Sequence, residues 1–363
     1  MGRVKKIILT VTNDLNFDQR MIKISTTLAH NGFEVLLVGR KRKSSKALKE
    51  QPFQQKRIHC FFEKGKFFYL EYNLRLFFFL LFQKADILCT IDLDTILPNL
   101  WVSKIKNNHL VYDAHEYFTE VPELLDRKFT KKIWENIEAY ALKHVKNAYT
   151  VGPEIARLFE EKYGLKFEVI MNAPRIKTIY KLEREYGVLL YQGALNKGRG
   201  IENYIDMMAD LDAHLWIIGE GDLSKELRER AEQLNLNHKI TFWGFVDPVE
   251  LPNFTRKAYI GLNVSENLGL SYYYSLNNKC FDHIHALLPT VTNPFPEYMA
   301  INNRWETMVF ANANSTEIKN AVQRLLQNPV YYYKLAANCE EARAVLCWEN
   351  EERKLLKFYE RFK

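Results

Sequence analysis

No two of the five cysteines (Cys60, Cys89, Cys280, Cys339, Cys347) form a CxxC pair, and their odd number and wide spacing argue against a disulfide framework and a zinc site alike. That usage points to a cytosolic chain. Long apolar runs are also missing: within Tyr69 to Lys84 the unbroken stretch extends only from Leu76 to Phe82, far short of the roughly 20 residues of a membrane span. The start, MGRVKKIILTVTN, is a short β-branched strand without a small-residue cleavage site, so it does not read as a signal peptide, and Lys6 stands where a myristoylation signal has Ser or Thr. There is no internal repeat and no low-complexity tract. No zinc finger, RNA-recognition signature or continuous basic helix occurs, which excludes nucleic acid as the expected partner.

What is present suits a large globular protein. At 363 residues and 47% hydrophobic composition the chain is long enough for two domains. Charge is unevenly placed: residues 1–180 hold 30 Lys+Arg against 20 Asp+Glu, and residues 181–363 hold 21 against 24. A basic front half suits an anionic membrane surface or a phosphorylated substrate. The Phe-rich segment has two readings, a core helix or a helix lying in the membrane interface with Lys64, Lys66, Arg75 and Lys84 toward the headgroups.

Short β-branched runs alternate with helical patterns: KKIILTV, EVLLVG, DILCT, HLVYDA and AYTV, then GVLLYQG, AHLWIIG, KITFWGF and AYIGLNV. Such alternation predicts parallel sheets wrapped by helices. The rhythm breaks in EVIMNAPRIKTIYKLEREYG, a linker containing Pro174. Two α/β domains are expected, 1–172 and 187–328, followed by C-terminal helices over 329–363.

Ligands of open parallel sheets bind beyond the carboxyl ends of strands, so polar strand-to-helix junctions are the candidates. The first junction holds Asn13, Asp14, Asp18 and Arg20, with Asp18 alternatively a helix cap. Another, YDAHEYFTE, sets His115 among Asp113, Glu116 and Glu120. In LLYQGALNKGRGIENYI, Gly193, Gly198 and Gly200 free backbone amides where a helix begins, and Lys197 and Arg199 add cations, a combination suited to a diphosphate. The spacing fits neither GxGxxG nor a Walker loop. IDLD, with Asp92 and Asp94, looks like a metal-binding DxD but reads better as a capped strand-to-helix junction.

Together YDAHE, GALNKGRGIE, IIGEG, FWGFV and SENLGLSYYYSLNNKCFDHIHALLPT resemble family-four glycosyltransferases of the GT-B fold over essentially the whole chain. The resemblance implies two Rossmann-like domains facing a cleft, an acceptor domain first and a nucleotide-sugar donor domain second, with the last helix crossing back to the first. It implies retaining transfer of a hexose from a nucleotide-diphosphate sugar to a glycan or lipid-linked acceptor, with no bound metal and no further cofactor, in polysaccharide or glycoconjugate synthesis. Relatives carry two glutamates eight positions apart; here Glu266 matches the first and Asp282 the second, 16 positions on, with an inserted YYYSLNN between. The implied catalytic pair is His115 and Glu266. The implied donor site adds Gly193, Lys197, Arg199, Glu220, Phe245, Gly269, Leu270, Ser271, Lys279 and Asp282, and the acceptor side Asn13, Asp14, Asp18, Arg20 and Glu120. The Arg that relatives place after the turn glycine is Ala194 here, which leaves Lys197 or Lys279 to supply the cation. A nucleotide-sugar epimerase and a silent sugar-nucleotide-binding protein are the other readings, and the expected location is the cytoplasm, at the inner membrane face.

Overall fold

In the computed structural model, which describes residues 3–178 and 183–363, contacts divide the chain into two units. The first comprises Met1–Asn172 with Glu351–Lys363, the second Ala173–Asn350.

The first unit is built on seven parallel strands in the order β3-β2-β1-β4-β5-β6-β7. These are β1 (Lys5–Thr10), β2 (Phe33–Lys41), β3 (Gln54–His59), β4 (Ile87–Ile91), β5 (His109–Ala114), β6 (Asn147–Thr150) and β7 (Glu168–Val169). The second has six parallel strands, β10-β9-β8-β11-β12-β13. They are β8 (Val188–Gln192), β9 (His214–Ile218), β10 (Ile240–Gly244), β11 (Ile260–Asn263), β12 (Thr290–Thr292) and β13 (Met308–Phe310). Both sheets are doubly wound, so their strands are covered on two faces and read as continuous apolar runs. In β8, Leu189 and Tyr191 face one core and Val188 and Leu190 the other. The strand order reverses between β1 and β4 in one sheet and between β8 and β11 in the other, and ligands of this architecture bind at such reversals.

Strand β3 escapes a search for apolar runs because QQKRIH is an edge strand in which only Ile58 is buried. Strand β7 is two residues at the opposite edge and falls within the stretch read as linker. The last helix, Trp348–Glu360, supplies the fully buried Leu355, Phe358 and Tyr359, and Tyr359 packs on Tyr149 of β6. Glu351 accepts the Met171 N–H at 2.8 Å, fixing that helix within the first unit.

Helix Gly65–Phe82 is a core helix along one face and leaves apolar side chains exposed along the other. Phe68, Tyr72, Leu76 and Leu80, at spacings of four, are buried against the sheet. The Tyr72 hydroxyl donates to the Val11 carbonyl at 2.5 Å. The remaining face shows Phe67, Leu70, Leu74, Phe78 and Phe82 to solvent, each more than half exposed.

Candidate functional site

The reversal point of the second sheet is formed by the segments that follow β8 and β11. Gly193, Gly198 and Gly200 all have positive φ, which lets the loop after Gln192 fold tightly. The GEG sequence exists for this loop: a Cβ on Gly219, at φ 130°, would lie 1.9 Å from the Gly193 carbonyl oxygen. Gly200 is similarly constrained, since a Cβ there would come within 2.8 Å of the Val264 carbonyl oxygen. The second loop is tied to the first where the Glu266 N–H donates to Gly198 O at 2.9 Å. Gly269, at φ 87°, then opens the short helix Leu270–Tyr273.

Two cations enter this junction. The Arg199 guanidinium lies over the Tyr272 ring at 4.6 Å, and its Nε is buried without a hydrogen-bond partner. Lys279, on helix Asn278–His285, is 9% exposed, and its ammonium lies 4.4 Å from the centre of the Tyr191 ring. Burial and the like charge of Arg199 push the Lys279 pKa well below its ordinary value. A buried amine with a second cation beside it is a site arranged for an anion. The Lys279 side chain reaches Gly193, whose Cβ position is 3.9 Å from the Lys279 Cδ, so this lysine stands at the turn where Ala194 supplies no charge.

The other residues singled out in this unit are placed as follows. Asp282 accepts from Gln192 Nε2 at 3.1 Å, and Gln192 accepts from the Thr255 hydroxyl at 2.8 Å. Ser271 is buried, Leu270 and Lys197 are exposed, and Phe245 is 67% exposed just beyond β10. Glu220 pairs with Arg228 at 3.1 Å. Of the three tyrosines, Tyr272 underlies Arg199 while Tyr273 packs on Tyr274 and Phe295. Asn277 caps its helix through the Cys280 N–H and donates to Asn263 at the end of β11, at 2.8 Å. This anchors the inserted segment. Gln192, Thr255 and Asn263 were not among the expected site residues; polar side chains closing apolar strands are the only sequence signal for Gln192 and Asn263.

In the first unit, His115 lies at the carboxyl end of β5 beside Asp113 and Asp92. Asp113 is fully buried and bonded to Arg20 at 3.0 Å, and Arg20 also donates to Ile170 O at 2.9 Å. Arg20 is therefore an interior partner of Asp113. Asp18 caps helix Gln19–His30 through the Met21 N–H at 3.1 Å and accepts from Asn13 at 3.0 Å. Asp14 is held by Arg57 at 3.2 Å and by the Ser45 hydroxyl, and Glu120 pairs with Lys131. The IDLD junction is not a side-chain cap. Asp92 accepts the His115 N–H, and Asp94 accepts the Thr12 hydroxyl.

Residues 172–344 match the family described as glycosyl transferases group 1. The matched stretch covers almost the whole of the second unit. Sucrose-phosphate synthase from Thermosynechococcus elongatus shares the architecture with a TM-score of 0.81 at 16% identity, over 98% of each chain. HepE from Anabaena, solved in complex with UDP and glucose, gives 0.77 at 14% identity over 98% of this chain and 99% of that one. An uncharacterized glycosyltransferase of Methanocaldococcus jannaschii is 23% identical over 221 residues, a stretch that spans 61% of this chain and 61% of the relative. The two sheets are thus those of the GT-B fold.

Proposed function

We propose that the chain is a retaining, metal-independent glycosyltransferase moving a hexose from a nucleoside-diphosphate sugar to a glycan or lipid-linked acceptor in polysaccharide or glycoconjugate synthesis. The observation that carries this reading is the pair of cations, Arg199 and Lys279, at the reversal point of a group 1 domain. Departure of a nucleoside diphosphate leaves an oxocarbenium-like sugar and a polyanion. Fixed cations and loop amides aimed at the phosphates stabilise that developing charge. Arg199, Lys279 and the amides of Gly269, Leu270 and Ser271 take this role, Glu266 meets the sugar and Asp282 the ribose. His115 is the second residue assigned to the reaction. Same-face attack within an ion pair needs no carboxylate nucleophile.

A thermal-shift screen of nucleotide sugars tests the reading, since a ligand at 100 times its dissociation constant stabilises a fold by about 2.7 kcal/mol. The product formed from the stabilising donor should keep its anomeric configuration. No shift with any donor, or an inverted product, contradicts the proposal. Donor converted to its epimer without an acceptor indicates an epimerase.

Asp282→Ala should weaken binding of the nucleoside diphosphate about tenfold or more, from loss of a charge-assisted hydrogen bond worth about 1.5–3 kcal/mol. Pyrophosphate should bind the variant as it binds the wild type. Equal losses for both ligands would place Asp282 away from the ribose.

An anionic membrane is the surface on which a lipid-linked acceptor would be met. Beside the exposed stripe of helix Gly65–Phe82, Trp101 and Ile105 of helix Ile96–Lys106 are exposed, and with Phe77 and Lys104 they line a groove of about 390 Å³. Phe129 and Ile133 are exposed on helix Lys128–Leu142, Lys66 lies over the Phe67 ring, and Lys104 lines the groove. Near an anionic surface each basic residue contributes about 1 kcal/mol. The full chain should pellet with anionic vesicles at low salt, and Leu74→Glu with Phe78→Glu should abolish this. Equal pelleting of that variant, or none by the wild type, removes the membrane from the account.

A further inference from the structure

The reversal point of the first sheet, between β1 and β4, contains a backbone outlier that its surroundings hold in place. Asp92, immediately after β4, has φ 54° and ψ −178°, a conformation populated almost only by glycine. Its own N–H donates to Asp113 O at 2.9 Å. The turn after it is pinned from beneath: Thr90 and Thr95 share a hydroxyl contact of 2.7 Å, and Asn99 donates to Thr10 Oγ1 and to Thr95 O, both at 2.7 Å. These partners are buried. A glycine would occupy this position without strain, so the aspartate side chain is the feature that needs explaining.

That side chain points at His115. One carboxylate oxygen accepts the His115 N–H at 2.8 Å and the other lies 3.6 Å from Nδ1, while Nε2 is 3.2 Å from the Asp113 carboxylate. A neutral imidazole has one N–H, so it would turn a lone pair toward one of the two carboxylates; only the doubly protonated ring suits both.

We infer that Asp92 is a positioning residue for His115, its strained backbone aiming one carboxylate at both the main chain and the ring of the histidine so that the ring is presented as a fixed imidazolium. A ring so occupied is not a general base; it is a stationary positive charge. Burial alone would lower the His115 pKa, but Asp113 and Asp92 outweigh it and raise it to about 9. Burial also raises the Asp92 pKa, while the attraction of His115 draws it down, so the ring and this carboxylate titrate as a pair. The charged groups around the ring are Arg20 from helix Gln19–His30, Asp92, Asp94, Asp113 and Glu116. The inference rests on the glycosyltransferase reading for its catalytic consequence, but the ring's charge is measurable without it.

The test is the proton NMR titration of the His115 ring in the full chain, assigned by its loss in His115→Ala, for wild type, Asp92→Asn and Asp94→Asn. Asparagine at 92 retains an acceptor for the His115 N–H and removes the charge. The wild-type ring should titrate well above 6.5, Asp92→Asn should lower its midpoint by at least one pH unit, and Asp94→Asn should lower it by less. With an active donor, Asp92→Asn should lower kcat at least fivefold, leave KM for the donor within twofold, and lose more activity at pH 9 than at pH 7. Should the asparagine variant fail to fold, Asp92→Gly, which fits the same φ, serves for both readouts. An unchanged His115 midpoint in the 92 variant overturns the inference whether or not the protein transfers sugar. An absence of transfer with a lowered midpoint counts against the glycosyltransferase reading and leaves the positioning role standing.

Discussion

Removing both cations of the second unit, by Arg199→Ala with Lys279→Met, should weaken nucleoside-diphosphate binding by at least a hundredfold. Charge-assisted contacts to phosphate are worth about 1.5–3 kcal/mol each, and two of them correspond to roughly a hundredfold or more in affinity. Methionine retains the bulk that Lys279 places against Tyr191, so the variant should fold. The lysine adds a pH signature. Its pKa is lowered in the unliganded protein by burial and by Arg199, so it sheds its proton more readily than a free lysine. A bound polyanion raises that pKa again. Binding should therefore take up a proton, and affinity should fall as pH rises through the unliganded pKa. Calorimetry in two buffers of different ionisation enthalpy measures the uptake. Undiminished affinity in the double variant would move the diphosphate elsewhere.

Glu266→Gln and His115→Ala should each lower transfer at least tenfold, which is about 1.4 kcal/mol of transition-state stabilisation, without unfolding the protein. Glu266 joins the two loops of the reversal point through its backbone N–H to Gly198, and glutamine leaves that bond in place. His115→Ala removes one partner of the buried Asp113, but Arg20 remains bonded to the same carboxylate at 3.0 Å. Circular dichroism and melting should thus resemble the wild type while turnover falls. Wild-type turnover in either variant would remove that residue from the reaction.

The alternation of apolar runs made the doubly wound architecture legible, because strands buried on both faces need such runs. What stayed hidden were the edges: β3 is polar, and β7 is two residues long. The two loops at the reversal point of the second sheet were visible in their glycines and cations, since tight turns and exposed amides leave a mark in composition. The partners of His115 were partly visible. Asp113 and Glu116 are its neighbours in sequence, whereas Asp92 and Arg20 reach it only through the pairing of β4 with β5 and the packing of helix Gln19–His30. In the sequence Asp92 belongs to a DxD pattern, which carries no sign of its positive φ. Likewise, Arg20 at a polar junction looks available to a ligand until the fold buries it at 5% exposure.

The most direct measurement is a crystal structure of the full chain with the nucleoside diphosphate of whichever donor stabilises it. The account predicts the two phosphates between Arg199 and Lys279, against the amides of Gly269, Leu270 and Ser271, with the ribose hydroxyls on Asp282. A nucleotide bound at the Asn13 to Arg20 junction of the first unit, or phosphates that touch neither Arg199 nor Lys279, would contradict it.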